Sequence, residues 1–155
     1  MNICPSVNAG IVAKNGGSYM RFYGERNKYF GALKSMIEAG IKCSLQSDSP
    51  SGPYGFECID GAVNRYDRVR NVQCDTTQAV SLMEAIRIAT INGAYGSFEE
   101  DIKGSLENGK LADMIVLDRD ILEMDKFDLY KVKVDLTMID GEICYVRDEV
   151  KGDFE

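Results

Sequence analysis

Apolar residues at Tyr29, Phe30, Leu33, Met36 and Ile37 recur at three- and four-residue intervals, the spacing that buries one stripe of a helix. The pattern predicts a helix from Arg26 to Ala39, with Gly40 as its left-handed C-cap. A second helix is predicted after Ser81, which makes an S-x-x-E capping box with Glu84. Its apolar face is Leu82, Ala85, Ile86 and Ala89, and Asn92-Gly93 ends it. Short apolar runs read as strands: Ile3 to Val7, interrupted by Pro5; Ile41 to Leu45, stopped by residues 47–53 (SDSPSGP); and Met114 to Leu117. Apolar and polar residues alternate from Val132 to Met138, and Asp140-Gly141 then supplies a two-residue hairpin turn to Ile143–Val146. That turn sets Ile139 opposite Glu142 and Leu136 opposite Tyr145. Residues 8–25, rich in Gly and Asn with Tyr19, Phe22 and Tyr23 interleaved, read as a long loop. Residues 54–75 have too weak a periodicity to assign an element.

The order is a β-α-β-α string followed by three antiparallel strands. The first part implies an α/β arrangement, a parallel sheet with helices on its face. The last part is a separate β element, with a natural boundary near Gly104.

Composition narrows the chemistry. The 155 residues contain no histidine, so no Ser-His-Asp triad, Cys-His pair or His-bearing zinc site can be built within the chain. Catalysis here has to use carboxylates, Lys, Tyr or Cys, or be completed by another polypeptide. Residues 1–75 carry 9 basic and 7 acidic side chains, whereas residues 76–155 carry 9 basic and 18 acidic. A net charge of −7 gives no basic face for a nucleic acid. The five cysteines, Cys4, Cys43, Cys58, Cys74 and Cys144, are odd in number and form no C-x-x-C, so they read as reduced thiols of a cytoplasmic protein. No secretory leader and no membrane span is expected.

Ser47-Asp48 is the most informative position. In a parallel sheet, ligands and chemistry gather at the C-terminal ends of strands. A carboxylate there, with Ser49-Pro50 turning the chain behind it, can bind a metal and take a proton from water. Asp and Ser before Pro are also ordinary turn formers. Glu99-Glu100-Asp101 reads as a solvated acidic turn, and Asn15-Gly16, Asn92-Gly93 and Asn108-Gly109 as turn signals. No nucleotide-binding glycine motif occurs. The aromatics Tyr19, Phe22 and Tyr23 either line a pocket or pin the 8–25 segment down.

Four segments carry a family resemblance: residues 44–53 (SLQSDSPSGP), 81–122 (SLMEAIRIATINGAYGSFEEDIKGSLENGKLADMIVLDRDIL), 134–145 (VDLTMIDGEICY) and 25–41 (ERNKYFGALKSMIEAGI). Together they resemble the C-terminal end of amidohydrolase-superfamily enzymes, of the YtcJ-like, amidohydrolase-3 type. Residues 104–120, GSLENGKLADMIVLDRD, are the most specific piece.

The resemblance implies the last two βα units of a (β/α)8 TIM-type barrel in residues 1–104, with Ile3–Val7 as strand seven and Lys42–Ser47 as strand eight. Residues 105–155 would be the C-terminal strands of a small β-sandwich. It implies metal-dependent hydrolysis of a carbon–nitrogen bond, amide-type and non-peptide, in a small-molecule substrate. Asp48 matches the family aspartate that contacts the metal and acts as general base toward the bound water. The cofactor implied for the complete enzyme is a divalent metal such as zinc. The histidine ligands of that family are absent from this chain. Lone Asp48 is not expected to hold zinc tightly, and the chain reads as a C-terminal fragment without activity of its own. Tyr19, Arg21 and Tyr23 are the candidates for substrate contact. The alternative is a non-catalytic binding or assembly module, which self-associates or pairs with a chain that supplies the missing barrel strands.

Overall fold

The structure is a computed structural model, and it describes residues 3–49 and 55–154. Part of the 47–53 stop, from Pro50 onward, lies outside the described residues. Strand β1 (Ser6–Val7) and strand β2 (Ser44–Leu45) pair in parallel, with Ser6 opposite Ser44 and Val7 opposite Leu45. Pro5 donates no N–H, but its carbonyl accepts from Ser44 N at 2.9 Å. The parallel α/β start is therefore present, in its smallest form.

The segment between these strands departs from the expected loop. Helix α1 spans Ile11–Tyr23, and Asn8 Oδ1 accepts from Ile11 N at 3.0 Å ahead of its first turn. Its glycines are close-packing positions rather than turn residues. A Cβ on Gly16 would lie 2.3 Å from Cys74 Sγ, and one on Gly17 would lie 2.9 Å from Arg70 Cδ. Asn15-Gly16 thus lies inside a helix, against the turn reading. The expected helix over 26–39 is split. A 3-10 helix runs Gly24–Tyr29, the chain bends at Gly31 (φ +59°), and α2 covers Leu33–Glu38. Arg65 supplies the reason: its Nη1 takes the carbonyls of Phe30 (2.9 Å) and Gly31 (3.4 Å), which turns them away from helical partners. Gly40 adopts the left-handed cap as expected, at φ +69°.

The unassigned stretch holds helix α3 (Phe56–Asn64) and the hairpin of β3 (Tyr66–Asp67) with β4 (Val72–Gln73). Helix α4 (Leu82–Ala89) begins with the expected capping box: Glu84 N donates to Ser81 Oγ (3.2 Å) and Ser81 N to Glu84 Oε2 (2.7 Å). It stops at Thr90, and α5 (Ile91–Gly96) runs through Asn92-Gly93, so that pair does not end a helix either. Asn92 Nδ2 instead donates to Cys43 O at 2.9 Å, tying α5 to the start of β2.

Strands β5 (Met114–Leu117), β6 (Val134–Ile139) and β7 (Glu142–Val146) form the antiparallel sheet. Asp140 (φ +50°) and Gly141 (φ +80°) make the left-handed turn, and Ile139 lies opposite Glu142 as expected. Leu136, however, faces Val146 and not Tyr145, because the register shifts between Thr137 and Met138. The main core gathers Leu33, Cys43, Phe56, Ile59, Ala85 and Ile88. Leu129, from a 3-10 helix at Lys126–Lys131, is fully buried in the same cluster. All five cysteines are free thiols, and burial pushes Cys43, Cys58 and Cys74 upward.

Candidate functional site

The C-terminal ends of β1 and β2 lie side by side, and Gln46 N extends their pairing with a bond to Val7 O at 3.1 Å. Asp48 follows two residues later. Its φ of +56° is left-handed, a conformation that Asp tolerates better than most residues. The side chain of Gln46 holds the corner, since Asp48 N donates to Gln46 Oε1. The Asp48 carboxylate is exposed, which suits a group that exchanges protons with a substrate or water.

Helix α3 backs this corner. Cys58 Sγ lies 4.0 Å from Gln46 O. Gly61 packs on the turn between β1 and α1 so closely that a Cβ there would meet Ala9 O and Gly10 Cα at 2.6 Å. Glu57 and Lys14 form an ion pair at 4.0 Å that spans from α3 to α1.

Tyr19, Arg21 and Tyr23 lie on the C-terminal half of α1. Tyr19 stacks on Phe30 with centroids 4.3 Å apart, and Tyr23 meets Phe30 at 5.0 Å and Tyr19 at 6.0 Å. Burial pushes the Tyr19 phenol upward, Tyr23 adds to this, and a hydrogen bond with Asn15 opposes it. Exposed Arg21 sits over the Phe22 ring at 5.7 Å. No hydrogen bond, ion pair or ring contact among the described residues joins these three side chains to Asp48. Glu99 is paired with Lys103 at 2.7 Å, in keeping with a solvated acidic turn.

Sequence reasoning missed the buried polar run that begins within α3 and continues past its end. Asp60, Asn64, Arg65 and Asp67 are each at most 2% exposed. Asp67 accepts from Val69 N, Arg70 N and Gly17 N at 2.8–2.9 Å, tying the hairpin to α1. Arg65 Nε donates to Asp75 O at 2.5 Å, and its burial holds the guanidinium below its usual range. The one available signal was the density of charge and amide residues from Asp60 to Arg70 within an apolar setting.

Among the described residues, no three His, Cys, Asp or Glu side chains are grouped to hold a metal ion. Zinc at a catalytic site takes about three protein ligands, so Asp48 with its surroundings does not fit a metal by itself. No helix among the described residues is long and apolar enough to cross a membrane.

Comparison with known proteins gives the class. The profile of the amidohydrolase family (amidohydrolase-3 type) matches residues 1–145, and the chain belongs to that family. It is 34% identical over 143 residues to the N-substituted formamide deformylase of Arthrobacter pascens, covering 90% of this chain and 26% of the relative. It is 29% identical over 126 residues to the putative amidohydrolase YtcJ of Bacillus subtilis, covering 79% and 24%. Among solved structures, an amidohydrolase from Thermotoga maritima superposes with a TM-score of 0.53 at 26% identity, covering 74% of this chain and 26% of that one. An adenosine deaminase from Xanthomonas campestris with bound zinc gives 0.58 at 23% identity, covering 77% and 29%, a likeness of fold alone. The chain spans about a quarter of the length of the curated relatives it matches.

Proposed function

We propose that this chain is the C-terminal part of a metal-dependent hydrolase that cleaves an amide-type, non-peptide carbon–nitrogen bond in a small molecule. The observation that carries the reading is Asp48 on a left-handed corner just past the C-terminal end of β2, beside its parallel neighbour β1. In the complete enzyme β1 and β2 are the last two strands of a (β/α)8 barrel, within residues 1–104. Residues 105–155 are a share of a small sandwich. The name of the Arthrobacter relative speaks of deformylation, a reaction at a carbon–nitrogen bond. The share of this chain in the chemistry is proton handling. As a carboxylate, Asp48 accepts a proton from the attacking water; once protonated, it gives that proton to the leaving nitrogen. Residues in segments of the kind that make up the remaining three-quarters of the relatives would hold the catalytic metal, and this chain alone turns nothing over.

A chimera tests the reading. The matching quarter of the Arthrobacter deformylase is replaced by this chain, and deformylation is assayed with and without Asp48→Asn. Loss of a positioned acid–base group costs roughly 10²–10⁴-fold in turnover. Full activity in the Asn variant would remove Asp48 from the chemistry.

A second reading, an assembly module that binds a second copy or a chain supplying the missing strands, has one observation in its favour. A groove of about 1240 Å³ runs between α4, α5 and the β5–β6 face, and its Met83, Leu106, Ile115 and Ile139 are each at least half exposed. A stable monomer at high concentration, by light scattering, counts against self-association.

A further inference from the structure

Within α3 every residue except Glu57 is buried, including the carboxylate of Asp60. A buried carboxylate is costly unless it is paired and hydrogen-bonded on all sides. Arg68 meets it with two donors, Nε at 3.0 Å and Nη2 at 2.6 Å. Asn64, one turn along, gives Nδ2 to the same carboxylate at 2.7 Å. The two donors then reach across to the 126–131 turn: Asn64 Nδ2 to Lys126 O at 2.7 Å and Arg68 Nη2 to Phe127 O at 2.9 Å. The guanidinium lies over Tyr130 at 4.4 Å, Tyr66 at 5.1 Å and Phe127 at 5.8 Å. One charge pair therefore joins the second half of α3 to a segment more than fifty residues downstream.

The same helix also touches the chain just past the ends of both strands. Cys58 Sγ faces Gln46 O, Gly61 sits on Ala9 and Gly10, and Gln46 holds the amide of Asp48. A nine-residue helix moves as one body, so a shift at its clamped residues is felt at the corner. Displacements of about 1 Å at a reacting group can cost a hundredfold in rate.

We propose that Asp60 and Arg68 are positioning residues, which hold the Asp48 corner in place by clamping the 126–131 turn onto α3. This deepens the reading of the Asp48 site and rests on it. A well-packed apolar pair can match a buried ion pair in stability while lacking its directional bonds. Stability and positioning therefore separate in the double variant Asp60→Leu/Arg68→Met, which leaves no unpaired charge. With the 155-residue chain labelled for NMR, that variant unfolds at a urea concentration close to the parent's. Its Gln46 amide exchanges about tenfold faster, as expected for a charge-assisted bond lost from the clamp, and the Asp48 amide signal moves. Arg68→Lys, which keeps the charge but not the fork, returns both signals part of the way. Unchanged Gln46 exchange and an unmoved Asp48 signal, with the 126–131 amides freed, would overturn the proposal. These signals require no turnover, so the chimera assay can fail for Asp48 while the clamp stands, and the reverse.

Discussion

Leu129→Ala is the sharpest probe of how the chain holds together. Leu129 is 0% exposed and sits in the core cluster with Phe56, Ile59 and Val63 of α3, although it lies beyond the β5 strand in sequence. Truncation removes three buried carbons, roughly 2.4 kcal/mol at about 0.8 kcal/mol each, before any cavity is counted. A cavity that the neighbours cannot fill raises the loss to about 3–4 kcal/mol. Domains of this size are stable by about 5–15 kcal/mol, so the change is large. With a urea slope of about 2 kcal/mol/M, the unfolding midpoint falls by roughly 1.5–2 M. The assay is equilibrium unfolding in urea, followed by far-UV circular dichroism and by tyrosine fluorescence, since the chain has 8 Tyr and no Trp. Leu122→Ala is the control: that side chain is 63% exposed and its loss stays within about 0.5 kcal/mol. A Leu129→Ala loss below about 1 kcal/mol would refute a core shared between α3 and the 126–131 turn. Two separated transitions in the parent would refute it as well.

Ser81→Ala removes the hydroxyl half of the capping box and lowers stability by about 1 kcal/mol in the same urea experiment, with α4 amides the most affected. Gly61→Ala forces a Cβ against the Ala9–Gly10 backbone and costs about 1–3 kcal/mol, read as a fall in melting temperature. Asp118 is held at about 2, first by its hydrogen bonds from Arg119 and then by the Lys133 amide, against a burial that raises it. Because the folded value is depressed, its stabilisation is complete above about pH 4 and fades as pH falls toward 2. Asp118→Asn therefore flattens the acid limb of the stability–pH curve between those values, and an unchanged limb counts against this account.

The sequence was legible where the signal is local. The Ser81–Glu84 box, the left-handed Gly40, the β5 run and the Asp140-Gly141 turn depend on residues within a few positions of one another, and each is found in the structure. Failures came where distant groups decide. Gly16 and Gly17 punctuate a sequence but here admit Cys74 and Arg70 to the side of α1. Gly31 bends a helix because Arg65, thirty-four residues on, captures the local carbonyls. The Tyr145 pairing failed by one residue because a bulge leaves no trace in an alternating pattern. At the site, Asp48 was visible from its position after a strand and before a proline. The Asp60–Arg68 clamp was not, because a buried carboxylate looks on paper like a solvated one.

The left-handed backbone at Asp48 bears on how that residue can be interrogated. At φ +56°, alanine and most other side chains pay a steric penalty that Asp, Asn and Gly largely escape. An alanine variant would therefore alter the bend of the chain as well as delete a carboxylate, and any effect it had could not be assigned to one change or the other. Asparagine keeps the bend and the outline while replacing the carboxylate with a neutral amide. The same conformational filter narrows the set of residues able to stand at this corner on backbone grounds alone, whatever their chemistry.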